Sequence, residues 1–460
     1  MTDNKAVASV VLGRKPLPPH VRGSENRQPR RSPSALGPIA RRMAYAYILI
    51  ATVLGFGVVV TRPLYRYPAL VLAIAMVVLA RRHAVGRIRI PLPFLLLLAW
   101  TIASLAWTDS RASTFYELRA NMSLVVATMV VASLAPLADL VSWQVRAFWW
   151  SLVLTIAVLI LDPASRISGV VGRGTLQAWR GGFIHKNGLA TFAAFAVPWV
   201  LAFEMRRPRK WLTLAVIVVL VVGSRSATGV VAVFLAAAVW GWLAIVQRRS
   251  SLPRTHLVAV TIPVVLFCAL AIWSSLGTVA QLLGKELTLT GRTAIWREGL
   301  EAAAKQPLAG YGPGGLYSWP WSDETVRILH EAGFWHNHMH NGFLEVQLAL
   351  GLVGVALVLA LLLSCLKDGI RLWRREPTIA RWLLTCVALI GTMAASERTL
   401  AAPGWLGAIV FIRIVALRIH DGETLGGGSE QPRRSGCPPE GAAQATVGQS
   451  GHASAPSQRP

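Results

Sequence analysis

Charged side chains are scarce in this sequence. Only 15% of the residues are charged, whereas 54% are hydrophobic, and the mean hydropathy is +0.51. A chain of 460 residues could form two or three soluble domains, but this balance of residues argues against them. The composition therefore predicts that lipid is the main solvent of the chain.

Cysteine and acidic residues are also few. The chain has four cysteines, of which three lie in or beside apolar runs, so neither a disulfide framework nor a cysteine metal cluster follows. Lys and Arg number 46 against 21 Asp and Glu, which gives a formal net charge of +25. The basic residues form short clusters between apolar runs. This placement favours lipid headgroups, and not nucleic acid, as their partner.

A cleavable signal peptide is not apparent at the start of the chain. About forty polar residues rich in Pro and Arg precede the first apolar run, whereas a signal peptide begins with a short basic segment. The first apolar run is therefore expected to remain as a helix.

The apolar stretches predict an all-α fold, a polytopic transmembrane helix bundle of about 12 spans. Each stretch is judged against the roughly 30 Å of hydrocarbon that a spanning helix must cross. The predicted spans lie at about 43–60, 64–80, 91–107, 120–137, 145–161, 188–204, 211–223, 226–246, 257–274, 341–364, 382–396 and 403–417.

Lys and Arg accumulate in alternate connections between the spans. The basic set comprises the segments at about 14–42, 81–89, 206–210, 248–254 and 367–381, together with the C-terminal tail. Because Lys and Arg are enriched on the cytoplasmic side of membrane proteins, both termini are expected to be cytoplasmic.

The predicted organisation has five parts. A disordered basic tail at 1–42 precedes helices 1–9 at 43–274, and a second disordered tail at 419–460 follows helices 10–12 at 341–418. Between the two helical parts, 275–340 is one long external loop, the natural place for a site. Residues 292–305 should form a short amphipathic helix within this loop.

Two candidate segments lie next to apolar runs. The segment 179–187 places Arg180, His185 and Lys186 at the mouth of the sixth span, although an interfacial anchor with snorkelling cations is an alternative. Arg225 interrupts the apolar stretch 211–246, where a charge must be paired or face water. A tight external hairpin is the alternative for Arg225.

Two further candidates lie in the long loop. Arg292 is at the start of the loop helix, where free N–H groups favour anions, although it could also be a solvated arginine. Alternating histidines at 336–340 could suggest a metal, but no neighbouring cysteine or obvious carboxylate pair completes a closed site. A neutral imidazole can instead act as a general base, and a histidine that caps the helix start is the alternative.

Together these segments resemble the O-antigen ligase and O-antigen polymerase superfamily. His340-Asn341, followed nine residues later by Gly351-Leu352-Val353-Gly354, is similar to the family's histidine motif. The segments 291–296, 311–314 and 107–110 are also similar to recurrent family segments. The segments 179–187 and 224–226 look most like the exopolysaccharide-production branch. The resemblance covers most of 43–417, but 225–229 lacks the leucine that many ligases have four residues after the arginine.

The resemblance implies a glycosyltransferase that needs no cofactor. Its donor would be a glycan on undecaprenyl diphosphate, and an acceptor hydroxyl on a glycan or a lipid anchor would attack with inversion. The implied diphosphate-binding residues are Arg225 and Arg292, with Arg180, Lys186 and His185 as weaker additions. His340 would be the general base, and the supporting positions are His338, Asn341 and Asn187. The chain is expected in a bacterial inner membrane, with its site facing the periplasm.

Two alternatives remain open at the level of sequence. Within the superfamily, a ligase and a polymerase are not separated. From another class, a transporter or flippase of lipid-linked polysaccharide could also line its path with buried arginines, although no internal repeat is apparent.

Overall fold

A computed structural model describes eleven stretches of the chain. They are residues 37–55, 71–72, 74–78, 88–169, 175–183, 185–204, 206–248, 289–317, 321–332, 338–401 and 403–423. All of them lie within one compact unit, Met1–Leu425.

Helices account for nearly all regular structure in these stretches. They are α1 (Pro38–Gly55), α2 (Leu92–Ala103), α3 (Arg111–Leu134), α4 (Leu137–Leu161), α5 (Lys186–Phe203), α6 (Arg207–Gly223), α7 (Ala227–Arg248), α8 (Leu289–Lys305), α9 (Asp323–Ala332), α10 (Gly342–Leu372), α11 (Pro377–Ala394) and α12 (Pro403–His420). Two 3-10 turns, Ser104–Ala106 and Pro163–Arg166, and an antiparallel pair of two-residue strands, β1 (Ser168–Gly169) and β2 (Thr175–Leu176), complete them.

Six of the described helices are long and apolar enough to cross a membrane. They are α3, α4, α5, α7, α10 and α11. The prediction of a polytopic helical membrane protein is therefore confirmed, whereas the count of twelve spans stays a prediction. The predicted span at 257–274 lies outside the described residues, and the one at 64–80 lies largely outside them.

Aromatic side chains fill the centre of the bundle. Trp199 of α5 and Trp382 of α11 are both fully buried, and their rings meet edge to face with centroids 4.6 Å apart. Phe148 of α4 and Phe411 of α12 contact Trp199 at 5.9 and 5.6 Å between centroids. Aromatic pairs at such distances stabilise a core beyond the effect of the area that they bury. This cluster therefore joins four helices in one core.

One set of connections meets at what we call the loop end of the bundle. Trp107 Nε1 donates to the carbonyl of Gly310 at 3.1 Å, and Trp179 N–H donates to the carbonyl of Gly223 at 2.9 Å. The segment that follows α11 packs against Gly342, where an added Cβ would lie only 3.0 Å from Leu400 N. These are the connections that the span count assigns to the less basic side.

The other connections meet at the opposite, basic end. Arg41 pairs with Asp139, and Arg89 pairs with Asp421 after the last helix. Arg418 caps α3 by donating to the carbonyl oxygens of residues 132 and 135 at 2.7 and 2.6 Å. Contacts among the described residues thus divide the connections between helices into two sets. These are the same two sets that the Lys and Arg content of the connections predicts.

Helix α10 is broken at Gly351. This residue has φ of +66°, so α10 consists of an arm at 342–350 and a longer segment at 352–372. Loop residues bond the backbone groups that the break releases: Tyr311 N–H donates to Leu348 O at 2.8 Å, and Leu352 N–H donates to Pro307 O at 2.8 Å. Irregular backbone next to a bilayer requires such partners, so the loop and the broken helix form one unit.

Replacing Gly351 should therefore destabilise the protein. The backbone of Gly351, with φ of 66° and ψ of −169°, lies in a region that essentially only glycine adopts and that costs other residues about 1–3 kcal/mol. A Cβ at this position would also lie 2.1 Å from Leu308 O. We expect Gly351→Ala to lower the free energy of unfolding by about 2–4 kcal/mol. Size-exclusion chromatography after heating measures the loss. The monodisperse peak of the purified variant should disappear at a lower temperature than that of the wild type.

Gly391→Ala is the matched control. Gly391 lies inside α11, and nothing is within 4 Å of an added Cβ there. This variant should be as stable as the wild type or slightly more so, because alanine is the better helix former. Equal stability of the two variants would contradict the strained break.

Candidate active site

A carboxylate at the loop end gathers the candidate residues. Glu397 follows α11 and is largely buried, with 15% of its side chain exposed. Asn187 Nδ2 donates to Glu397 Oε1 at 2.7 Å, and Arg292 Nη2 lies 3.5 Å from the same oxygen. His340 Nδ1 lies 3.9 Å from Glu397 Oε2. Residues from α5, from α8 and from the turn before α10 therefore converge on one acid.

Asn187 links this acid to the turn that carries Arg225. Its Oδ1 accepts a hydrogen bond of 2.9 Å from Ser226 Oγ, while its Nδ2 donates to Glu397. A close approach of α7 to Ala190 of α5 makes this contact possible, since a Cβ on Gly229 would be 2.3 Å from Ala190 Cβ. Arg225 is therefore one residue from a side chain in the network around Glu397.

Arg292 is also tied to the chain that follows α11. Its Nη1 donates to the carbonyl of Ser396 at 3.0 Å, beside the contact with Glu397. A guanidinium can make two such contacts and still present further N–H groups. The side chain remains 23% exposed, so part of Arg292 is accessible to an anion.

Arg225 and His340 share an unusual backbone. Within the described part of the chain, they are the non-glycine residues with positive φ, at 48° and 51°. Such a conformation costs about 1–2 kcal/mol for residues other than glycine, and it concentrates at functional sites. Two of the residues selected from sequence are thus held in strained turns at the loop end.

His340 lies in a well-bonded turn before α10. Asn341 caps the helix, because its Oδ1 accepts the N–H groups of Phe343 and Leu344 at 3.0 and 3.1 Å. His340 N–H donates to His338 Nδ1 at 3.3 Å, and the two imidazole rings contact each other. His338 and Asn341 therefore support the turn that presents His340.

His185 caps α5 on the opposite side of the site. Its Nδ1 accepts from Asn187 N–H at 3.3 Å, which requires that nitrogen to be unprotonated. The protein packed around this imidazole and the positive charges of Lys186 and Arg292 lower the pKa of His185 to about 4, although part of the residue is exposed to solvent, and Glu397 only partly opposes them. A neutral His185 adds a hydrogen-bonding group to the site and no charge at neutral pH.

The charge of Glu397 is stabilised by its neighbours. Burial alone would raise the pKa of this carboxyl, but the adjacent imidazole of His340 and the guanidinium of Arg292 lower it below its ordinary value. An ionised Glu397 can orient both side chains by charge. The cluster therefore combines fixed cations for an anionic group with an imidazole suited to proton transfer.

The other candidates lie at the same end of the bundle. Arg180 and Lys186 are half-buried, and Arg180 N–H donates to the carbonyl of Ser165 at 2.9 Å. His336 lies outside the described residues. Among the residues that the structure describes, no group of three or more His, Cys, Asp or Glu side chains could hold a metal.

Sequence reasoning missed Glu397 and its neighbour Arg398. The pair lies in the short connection between the eleventh and twelfth predicted spans. A signal was present, since acidic residues are few in this chain and this one lies between two apolar runs. An ionisable residue in that position is a functional candidate by default.

Comparisons with known proteins give two partial matches. Residues 211–359 match the family model described as O-antigen ligase. A stretch of 115 residues is 33% identical to the exopolysaccharide production protein ExoQ of Rhizobium meliloti (strain 1021). This stretch covers 22% of the chain and 26% of the length of that relative.

The matched family segment contains Arg225, Arg292 and His340. The predicted resemblance to the O-antigen ligase superfamily and its exopolysaccharide-production branch is confirmed. Asn187 and Glu397 both lie outside the matched segment. The resemblance already implied Asn187, whereas Glu397 is added by the structure.

Exchanging the amide of Asn187 for a carboxyl tests the central contact. Asn187→Asp would place two carboxylates at hydrogen-bonding distance and remove the donor to Glu397. We expect a loss of about 1–3 kcal/mol in the free energy of unfolding at pH 8. The loss should shrink at pH 5, because protonation of one carboxyl restores a donor and removes the repulsion.

Asn341→Asp is the control, and thermal unfolding at both pH values is the measurement. The cap at Asn341 uses only an acceptor oxygen, which aspartate retains. This variant should match the wild type at pH 8. The contact would be contradicted if Asn187→Asp were as stable as the wild type. It would also be contradicted if the loss of stability were the same at both pH values.

Proposed function

We propose that the protein transfers a glycan from a lipid diphosphate carrier to an acceptor hydroxyl at the loop end of the bundle. The observation that carries this proposal is the convergence of Arg292, His340 and Asn187 on Glu397. The match to the O-antigen ligase family over the segment with Arg225, Arg292 and His340 supports it. Undecaprenyl diphosphate is the carrier that the resemblance implies, and the periplasmic face of a bacterial inner membrane is the expected location.

In this reaction the acceptor oxygen attacks the anomeric carbon. Neutral His340 takes the proton of the acceptor hydroxyl as the new carbon–oxygen bond forms, and the bond from the anomeric carbon to the phosphate oxygen breaks. The lipid diphosphate leaves with the bonding electron pair, and the configuration at the anomeric carbon inverts. Arg225 and Arg292 bind the negative charge as it develops, which lowers the barrier more than uniform binding of the donor would.

Glu397 gives His340 its direction in this mechanism. The two side chains lie 3.9 Å apart, and Glu397 also contacts Arg292 at 3.5 Å. A carboxylate beside the imidazole stabilises the imidazolium that forms when His340 accepts the proton. Because the same acid holds Arg292, the base and the anion site are fixed relative to each other.

The relative named for exopolysaccharide production favours chain assembly as the biological role. We therefore assign the acceptor to a growing glycan or a lipid-anchored glycan, both of which offer a hydroxyl. A strain that lacks the gene separates the two. Single repeats or short chains indicate a polymerase, whereas full-length chains that stay on the carrier indicate a ligase.

Removal of the imidazole tests the proposed base. His340→Ala should abolish glycan transfer, which means a loss of at least about 100-fold, while the protein still inserts and accumulates. Surface glycan in the complemented deletion strain is the first measurement, and bond formation by the purified protein is the second.

His330→Ala is the matched control for this experiment. The His330 side chain in α9 is 84% exposed, and this variant should transfer glycan at the wild-type rate. Full transfer by His340→Ala would remove His340 from the mechanism. Movement of the donor across a vesicle membrane without any new glycosidic bond would favour a transporter.

Lysine should be a poor substitute for the two arginines. Arg225→Lys and Arg292→Lys keep the charge but lose the planar fork that binds phosphate oxygens in pairs. We expect each to lower the transfer rate by about 10-fold or more, since a lost charged hydrogen bond is worth about 1.5–3 kcal/mol.

Arg297→Lys provides the comparison for the arginine variants. Arg297 lies in the same helix as Arg292 and pairs with Glu298, and its side chain is 65% exposed. Its replacement should leave transfer unchanged. If both Arg225→Lys and Arg292→Lys retain full activity, clamping of the diphosphate by these residues is wrong.

A further inference from the structure

Both backbone polar groups of Met339, one in each of its two peptide planes, are hydrogen-bonded to side chains. Its N–H donates to the carboxylate of Glu345 in the first turns of α10, and its carbonyl accepts from Trp296 Nε1 of α8 at 2.7 Å. Met339 lies between the two histidines of the turn, and its side chain is fully buried. One hydrogen bond thus comes from the helix that follows His340 and the other from the loop helix.

The two hydrogen bonds of Met339 constrain the backbone of the next residue, His340. His340 has φ of 51°, a backbone that is unfavourable for residues other than glycine and that the surrounding bonds must therefore maintain. The peptide that joins Met339 to His340 is bonded at both ends, since Trp296 donates to its carbonyl and its N–H donates to His338 Nδ1. Glu345 fixes the peptide before it through Met339 N–H. Together these bonds set the direction in which the His340 side chain leaves the chain. Gly299 of α8 allows the close approach, since an added Cβ would lie 2.9 Å from Met339 Sδ.

The charge of Glu345 has a partner in this arrangement. Arg398, next to Glu397, interacts electrostatically with Glu345, and the carboxylate also lies near the positive N-terminal end of α10. Glu345 is partly buried, and its carboxylate accepts a hydrogen bond from Met339 N–H. It thus contacts the backbone next to His340, and its charge also interacts with the imidazole.

We propose that Glu345 and Trp296 are positioning residues. They hold His340 in its left-handed turn through the N–H and the carbonyl of Met339. This inference rests on the proposed function, in which His340 is the base. A base that is displaced by about 1 Å can lose about 100-fold in rate. Binding of the donor would be unaffected, because neither side chain is among the residues that we propose to bind the diphosphate, Arg225 and Arg292.

Three variants separate positioning from general stability. Glu345→Ala removes the acceptor, Trp296→Phe removes the donor but keeps an aromatic ring, and Glu345→Gln keeps an acceptor oxygen. The donor probe is the carrier-linked glycan extracted from the deletion strain. We expect kcat to fall by about 10–100-fold for Glu345→Ala and Trp296→Phe with KM for this donor unchanged. Glu345→Gln should stay within about threefold of the wild type.

A second measurement on the same samples, the chemical modification of His340, does not depend on turnover. Diethyl pyrocarbonate modifies accessible imidazoles, and mass spectrometry measures the modified fraction of His340, whose side chain is 27% exposed. Release of the turn should raise the modification rate of His340 severalfold in Glu345→Ala and Trp296→Phe but not in Glu345→Gln. Glu331→Ala is the control, because the Glu331 side chain in α9 is 53% exposed, and it should match the wild type in both measurements.

The outcomes distinguish this inference from the proposed function. If the wild type transfers glycan and Glu345→Ala matches it in rate and in His340 modification, the positioning role is wrong and the proposed function stands. A Glu345→Gln variant as impaired as Glu345→Ala would also overturn it. If the wild type forms no glycosidic bond, the proposed function fails, and His340 modification alone still decides whether the two residues hold the turn.

Discussion

The contact of Glu397 with Arg292, Asn187 and His340 is the interaction on which the loop end depends. Cationic and titratable side chains crowd this part of the molecule, and without an acid they would repel one another near a medium of low dielectric. A buried charge is tolerated when it is paired and hydrogen-bonded, and Glu397 meets that condition with a 2.7 Å bond and a 3.5 Å ion contact. One carboxylate therefore holds together the guanidinium that we propose for the anion site and the imidazole that we propose as the base.

Strained and broken backbone supplies the second condition for the site. The helices provide a stiff frame, but Arg225, His340 and Gly351 all have positive φ at the points where connections meet. Hydrogen bonds satisfy the backbone at each position. Arg225 N–H donates to Val222 O within its own turn, and His340 N–H donates to His338 Nδ1, while Tyr311 N–H from the loop donates to Leu348 O at the break in α10. The regular bundle thus stabilises conformations that a short loop could not maintain alone, and the side chains that leave these turns have fixed directions.

The sequence predicted the helical membrane fold because that fold depends on composition and run length, which are local properties. It also selected Arg225, Arg292 and His340, since each is a polar residue beside an apolar run or within a recognisable motif. Glu397 was missed although its place between two apolar runs was a signal, because its importance comes from contacts with residues more than fifty positions away. The break at Gly351 was missed for a similar reason: the apolar pattern continues through it, while the bonds that permit it come from the loop.

The most direct test of this account is a structure of the wild-type protein in a lipid nanodisc with the carrier-linked glycan extracted from a deletion strain. The account predicts the diphosphate at the loop end, in contact with the guanidinium groups of Arg225 and Arg292. The anomeric carbon should face His340, with Glu397 still between His340 and Arg292. A diphosphate bound at the basic end, or one bound by neither arginine with His340 facing away from the sugar, would contradict it.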